Sequence, residues 1–139
     1  MGTWSVSAFA NDFAQDWAED LQESMDLYFI ADTLDNALSS GEAGMLEAPF
    51  GAEALAAVET LARLEGRTGR QDEDSAAVDE WVAAMKPKFK LRSDLHEKAL
   101  RVFELVLSER SELRELWQDS EHDEAWRSEV ESLRARMQA

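Results

Sequence analysis

Asn11-Asp12-Phe13-Ala14-Gln15-Asp16-Trp17-Ala18-Glu19-Asp20-Leu21-Gln22-Glu23-Ser24-Met25 is the stretch that decides the fold. Phe13, Trp17, Leu21 and Met25 recur every fourth residue, the signature of one apolar face of an α-helix over about residues 12–24. Asp16, Glu19, Asp20 and Glu23 fall mostly on the opposite side. Asn11 or Asp12 offers an N-cap, and Asp12 with Gln15 three residues later makes an acidic version of a capping box.

The same period continues down the chain. Ser24 or Asp26 can cap a second helix over 26–39, with Leu27, Ile30, Ala31, Leu34, Ala37 and Leu38 as its apolar positions, before Ser39, Ser40, Gly41 and Gly44 break the pattern. Pro49 suits the first turn of a third, alanine-rich helix over 50–65, and Gly66 suits its C-terminus. That helix carries Leu55, Val58, Leu61 and Ala62. A fourth, over 75–86, holds Val78, Trp81, Val82 and Met85 and stops at Pro87. Ser93 or Asp94 begins a fifth, to about Glu109, with Leu95, Ala99, Val102, Phe103, Val106 and Leu107. Ser111 caps a short sixth containing Leu113, Leu116 and Trp117, and a seventh begins near Asp123 with Trp126, Val130, Leu133 and Met137. No segment alternates apolar and polar residues with β-branched side chains, so no strand is expected.

The expected fold is therefore all-α: a compact bundle of six to seven short helices, with an irregular N-terminal arm packed on it. One domain spans 1–139, with 1–11 as the arm, 66–74 as a flexible loop and 86–92 as a basic connector. The arm carries Trp4 and Phe9 as aromatic anchors, more suited to plugging it onto the core than to lining a ligand cleft.

The 139 residues include no cysteine, which excludes a disulfide framework, a thiolate metal site and a cysteine nucleophile. No apolar run approaches the roughly 20 residues needed to span a bilayer, and Met1 to Ala10 lacks the features of a secretory signal, so a cytoplasmic location is expected. The net charge of −16 is unevenly placed. Twelve acids and no base precede Arg63, whereas residues 63–139 hold eighteen acids and fourteen bases. This balance argues against direct nucleic-acid binding and against anionic membranes, since both rest on cations meeting phosphates.

Asp12, Asp16, Glu19, Asp20 and Glu23 are the candidate partner-binding residues, because spacings of three and four place several carboxylates on one face. Such a face suits lysines and arginines of a basic protein, or else is simply a solvated helix surface. No EF-hand pattern accompanies it, and no metal or other cofactor is assigned. His96 and His122 lack the convergent partners that acid–base or zinc chemistry needs. The sequence has no nucleophile elbow and no phosphate-binding loop, and no catalytic residue is assigned. Lys86, Lys88, Lys90 and Arg92 form the single basic block, read as a connector whose charges offset acidity elsewhere.

Gly2, Trp4, Phe9, Asn11 and Asp12, followed by the Asp16-Trp17 pair, resemble the opening of a bacterial family known as domain-of-unknown-function family 4259. Ser111-Glu112-Leu113-Arg114-Glu115-Leu116-Trp117 and Trp126-Arg127 are similar to its C-terminal half. The resemblance spans nearly the whole chain. It implies a compact helical domain and structural roles for Gly2, Trp4, Phe9, Asn11, Asp12, Trp17, Trp117 and Trp126. Ser5 and Ser7 stand where the family usually has glycine, and Ala10 where it usually has aspartate. If those glycines serve positive φ, this arm must differ locally.

The leading functional expectation is a non-enzymatic acidic protein that docks a basic macromolecular partner. A toxin-neutralising immunity protein, an antitoxin or a nucleic-acid mimic would be concrete forms. The second expectation is a small-ligand-binding protein or enzyme with a cleft between the arm and the bundle.

Overall fold

In a computed structural model describing residues 6–90 and 92–138, the chain forms seven α-helices: α1 (Asp12–Leu21), α2 (Tyr28–Glu42), α3 (Ala48–Leu64), α4 (Ala76–Met85), α5 (Ser93–Val106), α6 (Glu112–Gln118) and α7 (Asp123–Gln138). There is no β-strand among the described residues. The chain is an all-α bundle, as the apolar periods predict. Gly2, Trp4, Ser5 and Leu91 lie outside the described residues.

α3 is the hub. It packs against α1, α2, α4, α5, α6 and α7. Its alanines make this possible: Ala54, Ala56, Ala57 and Ala62 are fully buried, so helix backbones can approach it from every side. The four-residue stripe read from the sequence understates this burial. A helix apolar all round belongs at the centre of a bundle. Its two ends are held differently. At the C-terminus Gly66 has φ +81°, and its N–H donates to the carbonyl of Arg63 while that of Arg67 donates to Ala62, a Schellman closure. At the N-terminus no side chain of α3 caps it, and the Ala48 N–H instead donates to Glu112 Oε1 at 2.7 Å. Glu112 belongs to α6, and the Leu46 and Ser111 segments meet in an isolated bridge beside it.

Several boundaries depart from the sequence reading. α2 runs through Ser39, Ser40 and Gly41 rather than ending before them. Gly41 is buried with the Leu105 side chain packed where a Cβ would lie, 2.3–2.9 Å from it, so this glycine serves close packing with α5 and does not break the helix. α1 ends at Leu21, and Met25, expected on its apolar face, is 76% exposed in the following turn. α2 has no side-chain N-cap, although Asp26 Oδ1 accepts from the Tyr28 N–H at 3.0 Å. α5 ends at Val106, short of Glu109. The basic connector begins with a 3-10 turn at Lys86–Lys88. Pro87 sits in that turn, where its missing N–H costs nothing.

Inside the core lies a charged network. Arg63, 1% exposed, places Nε 2.7 Å from Asp79 Oδ1 and Nη1 3.0 Å from Glu59 Oε1. The Nη1 contact has ion-pair distance but not hydrogen-bond geometry. Arg63 also donates to the carbonyl of Arg70. Arg136 Nη2 lies 3.0 Å from both Glu59 oxygens. These contacts join α3 to α4, α7 and the 66–74 loop. Phe9 of the arm covers the Arg63 guanidinium, its ring centre 5.2 Å away.

Candidate functional site

α1 is built so that one side is locked and the other is left bare. Asn11 is its N-cap, with the side chain accepting from the Ala14 N–H at 2.9 Å. Asp12 is the first helical residue and not the cap, and its charge favours the helix N-terminus from there. Gln15 does not close a capping box. Its amide donates instead to the carbonyls of Phe9 and Asp74. The inner face buries Ala14, Trp17, Ala18 and Leu21. Trp17 Nε1 donates to Thr33 Oγ1 at 2.8 Å, and its ring stacks on Phe29 at 5.3 Å. That pins α1 to α2, while α1 also packs on α3 and α4.

Asp12, Asp16, Glu19, Asp20 and Glu23 are all exposed on the remaining side. The first four lie on the helix and Glu23 lies in the turn after it. Among the described residues none of the five makes an ion pair. Other carboxylates of the same half do: Asp35 with Lys98 at 2.8 Å, Glu42 with Arg101 at 3.8 Å, and Glu59 with Arg63 and Arg136. The cations of the second half therefore reach α2 and α3 but not α1. Lys86, Lys88 and Lys90 make no ion pair among the described residues, so the basic connector does not neutralise the acidic helix. Arg92 pairs with Asp94 at 2.7 Å. The Asp20 charge also reaches Glu53 of α3. Burial first, then the Asp20 charge, hold its carboxyl above the ordinary range.

The family model for a domain of unknown function, DUF4259, matches residues 2–129. The chain belongs to DUF4259. Neither a curated protein nor a solved structure matches it.

Of the residues that suggested DUF4259, Phe9, Asn11, Trp17, Trp117 and Trp126 sit in the core or at a helix cap. Phe9 is 3% exposed against the core, Asn11 caps α1, and Trp117 and Trp126 are buried with rings 6.3 Å apart and nearly parallel. Trp17 anchors α1, while Asp12 is exposed. No described non-glycine residue has positive φ, so Ser7 occupies ordinary backbone where the family usually has glycine. Ala10 is buried where the family usually has aspartate, and its N–H donates to the Ser7 carbonyl in a turn.

A cleft of about 470 Å³ lies between the arm and the α3, α6 and α7 surfaces. Val6 to Phe9 form one wall, and Ser128, Ser132 and Arg136 of α7 the other. Its charged groups are largely engaged with each other: Arg70 with Glu129 at 2.9 Å and Arg136 with Glu59 at 3.0 Å. His96 lies apart from the cleft lining and contacts Glu65, Nδ1 to Oε1 3.0 Å. His122 is exposed in the α6–α7 turn. Among the described residues no group of three or more His, Asp or Glu side chains converges as a metal site would require. No helix among them is long and apolar enough to cross a membrane.

Proposed function

We propose that this DUF4259 chain is a binding protein whose acidic α1 face docks a basic macromolecular partner. The observation that carries this reading is the exposed row Asp12, Asp16, Glu19, Asp20 and Glu23, none of which makes an ion pair among the described residues. A net charge of −16 with that row in one place attracts a cationic surface over roughly a Debye length, about 8 Å at physiological salt. The field accelerates association and selects against acidic partners. A toxin-neutralising immunity protein or an antitoxin is one concrete form, acting in the cytoplasm of a bacterium.

The test is capture of the partner by tagged wild-type protein and by the triple variant Asp16→Lys, Asp20→Lys, Glu23→Lys, at low and high salt. All three positions are exposed, so the variant keeps its helical circular dichroism. Loss of capture by the variant and by wild type at high salt supports the reading. Capture unaffected by either overturns it.

The cleft between arm and bundle favours a second reading, a small-ligand protein, since its volume falls in the range such sites occupy, about 300–1,000 Å³. A ligand held there would raise the melting temperature by mass action. A metabolite panel that produces no shift counts against it.

A further inference from the structure

The turn between α1 and α2 presents Met25 at 76% exposure and Tyr28 at 70%. They are the two most exposed large apolar side chains among the described residues, and they stand three residues apart. The turn is held from several directions. Ser24 Oγ donates to the Asp26 carbonyl at 3.1 Å, Asp26 Oδ1 accepts from the Tyr28 N–H at 3.0 Å, and Trp81 Nε1 donates to the Ser24 carbonyl at 2.9 Å. Met25 and Tyr28 are thus displayed on a hydrogen-bonded backbone, and little backbone freedom is lost when something covers them. Glu23 and Asp26 flank them, and the α1 row runs up to them.

We infer that Met25 and Tyr28 are the apolar anchor of the α1 docking face, and that its partner is a basic protein surface presenting an aliphatic or aromatic side chain among its lysines and arginines. The inference rests on the acidic-face reading and deepens it. Charge complementarity fixes the sign of the partner. The anchor fixes its kind: a purely polar polycation would leave both side chains in water, whereas a basic amphipathic helix covers them while its cations meet Glu23, Asp26 and the α1 carboxylates. Tyrosine and methionine are enriched at the centres of protein interfaces, where a desolvated aromatic carries a large share of affinity.

Two synthetic peptides of equal charge and length serve as probes, one a helical leucine–lysine repeat and one with serine in place of leucine, each titrated by fluorescence anisotropy. Wild-type protein is expected to bind the leucine peptide about tenfold or more tightly than the serine peptide, the effect of one well-buried anchor. The double variant Met25→Ser, Tyr28→Ser removes that preference and leaves serine-peptide binding unchanged. The Leu116→Ser variant, at another exposed apolar side chain, keeps the preference. Equal binding of the two peptides by wild type, or a preference that survives the double variant, overturns the anchor. If the Asp16→Lys, Asp20→Lys, Glu23→Lys protein still binds both peptides at wild-type affinity, the acidic face itself fails, and the anchor with it.

Discussion

Replacing Arg63 by methionine keeps most of the side-chain volume and removes the charge at the centre of the buried network. Arg63 is 1% exposed and serves Asp79 at 2.7 Å, Glu59 at 3.0 Å, the Arg70 carbonyl and the Phe9 ring. Removing one partner of a buried pair costs about 3–5 kcal/mol, because the other charge is left without compensation. Here both survivors keep something: Glu59 retains Arg136, and Asp79 retains Ser75 Oγ at 2.8 Å. The expected loss for Arg63→Met is therefore near the lower end, about 3 kcal/mol. Urea unfolding measures it, and with a slope of about 1–3 kcal/mol/M the midpoint falls by about 1–3 M. Asp79→Asn added to Arg63→Met should recover part of the loss, since the stranded carboxylate is then neutral. A single variant within about 1 kcal/mol of wild type, or a double variant no better than the single, refutes the argument that these charges hold the hub helix. The acid limb adds a check. Burial raises the Asp79 carboxyl, but hydrogen bonds from Arg63 and Ser75 and the Arg63 charge outweigh it and hold it below the ordinary value. A depressed carboxyl contributes stability above its unfolded value, near pH 4, and that stability is lost as pH falls through the folded value. In Arg63→Met that acid-dependent loss shrinks.

Three further outcomes follow from the same geometry. Glu53→Gln should stabilise the fold at neutral pH by less than about 1 kcal/mol, because the group is partly solvated. Its folded carboxyl is raised, so the folded state holds its proton more tightly and stability falls as pH rises from the ordinary to the raised value. The gain must vanish once Glu53 is protonated in both states, and a gain that persists in acid contradicts the assignment. Trp17→Ala should cost about 3–5 kcal/mol by removal of a buried indole stacked on Phe29, read by chemical denaturation, and a neutral result would mean α1 is not fastened as described. Gly66→Ala should cost about 1–2 kcal/mol, since φ of +81° places a Cβ against the following backbone; calorimetry showing no change would rule out the left-handed closure of α3.

How much of this was legible in the sequence depends on whether the information is local. The period of Phe13, Trp17 and Leu21, the caps at Asn11 and Ser111, and the Gly66 stop are local, and the structure reproduces them. What a single strip of sequence hides is tertiary. Gly41 reads as a breaker until Leu105 of α5 is packed on it. α3 reads as one-sided because alanine is weakly apolar, yet its small size lets other helices close on every flank. Glu112 caps a helix that begins 64 residues earlier, which no short-range motif encodes. The α1 acids show the same division. Their exposure follows from the helical period, whereas their lack of ion pairs among the described residues depends on where arginines from the second half come to rest.

That last point shapes the electrostatics of the whole chain. Arg63 is spent inside on Glu59 and Asp79, Arg136 on Glu59, Arg67 on Glu65 at the end of α3, and Arg70 and Arg127 on carboxylates of α7. A buried cation must be paired, so Arg63 answers to the core, while the more exposed Arg67, Arg70, Arg127 and Arg136 are held by carboxylates beside them. The lysines of the connector are free of ion pairs among the described residues, yet they sit beyond α4 and pair with nothing on α1. Part of the imbalance in the first 62 residues therefore stays on the exposed side of α1 after folding. If the α1 row were merely solubilising, moving its charges elsewhere on the surface at constant net charge would leave both solubility and every association unchanged. If it is a docking face, the same rearrangement keeps solubility and abolishes binding.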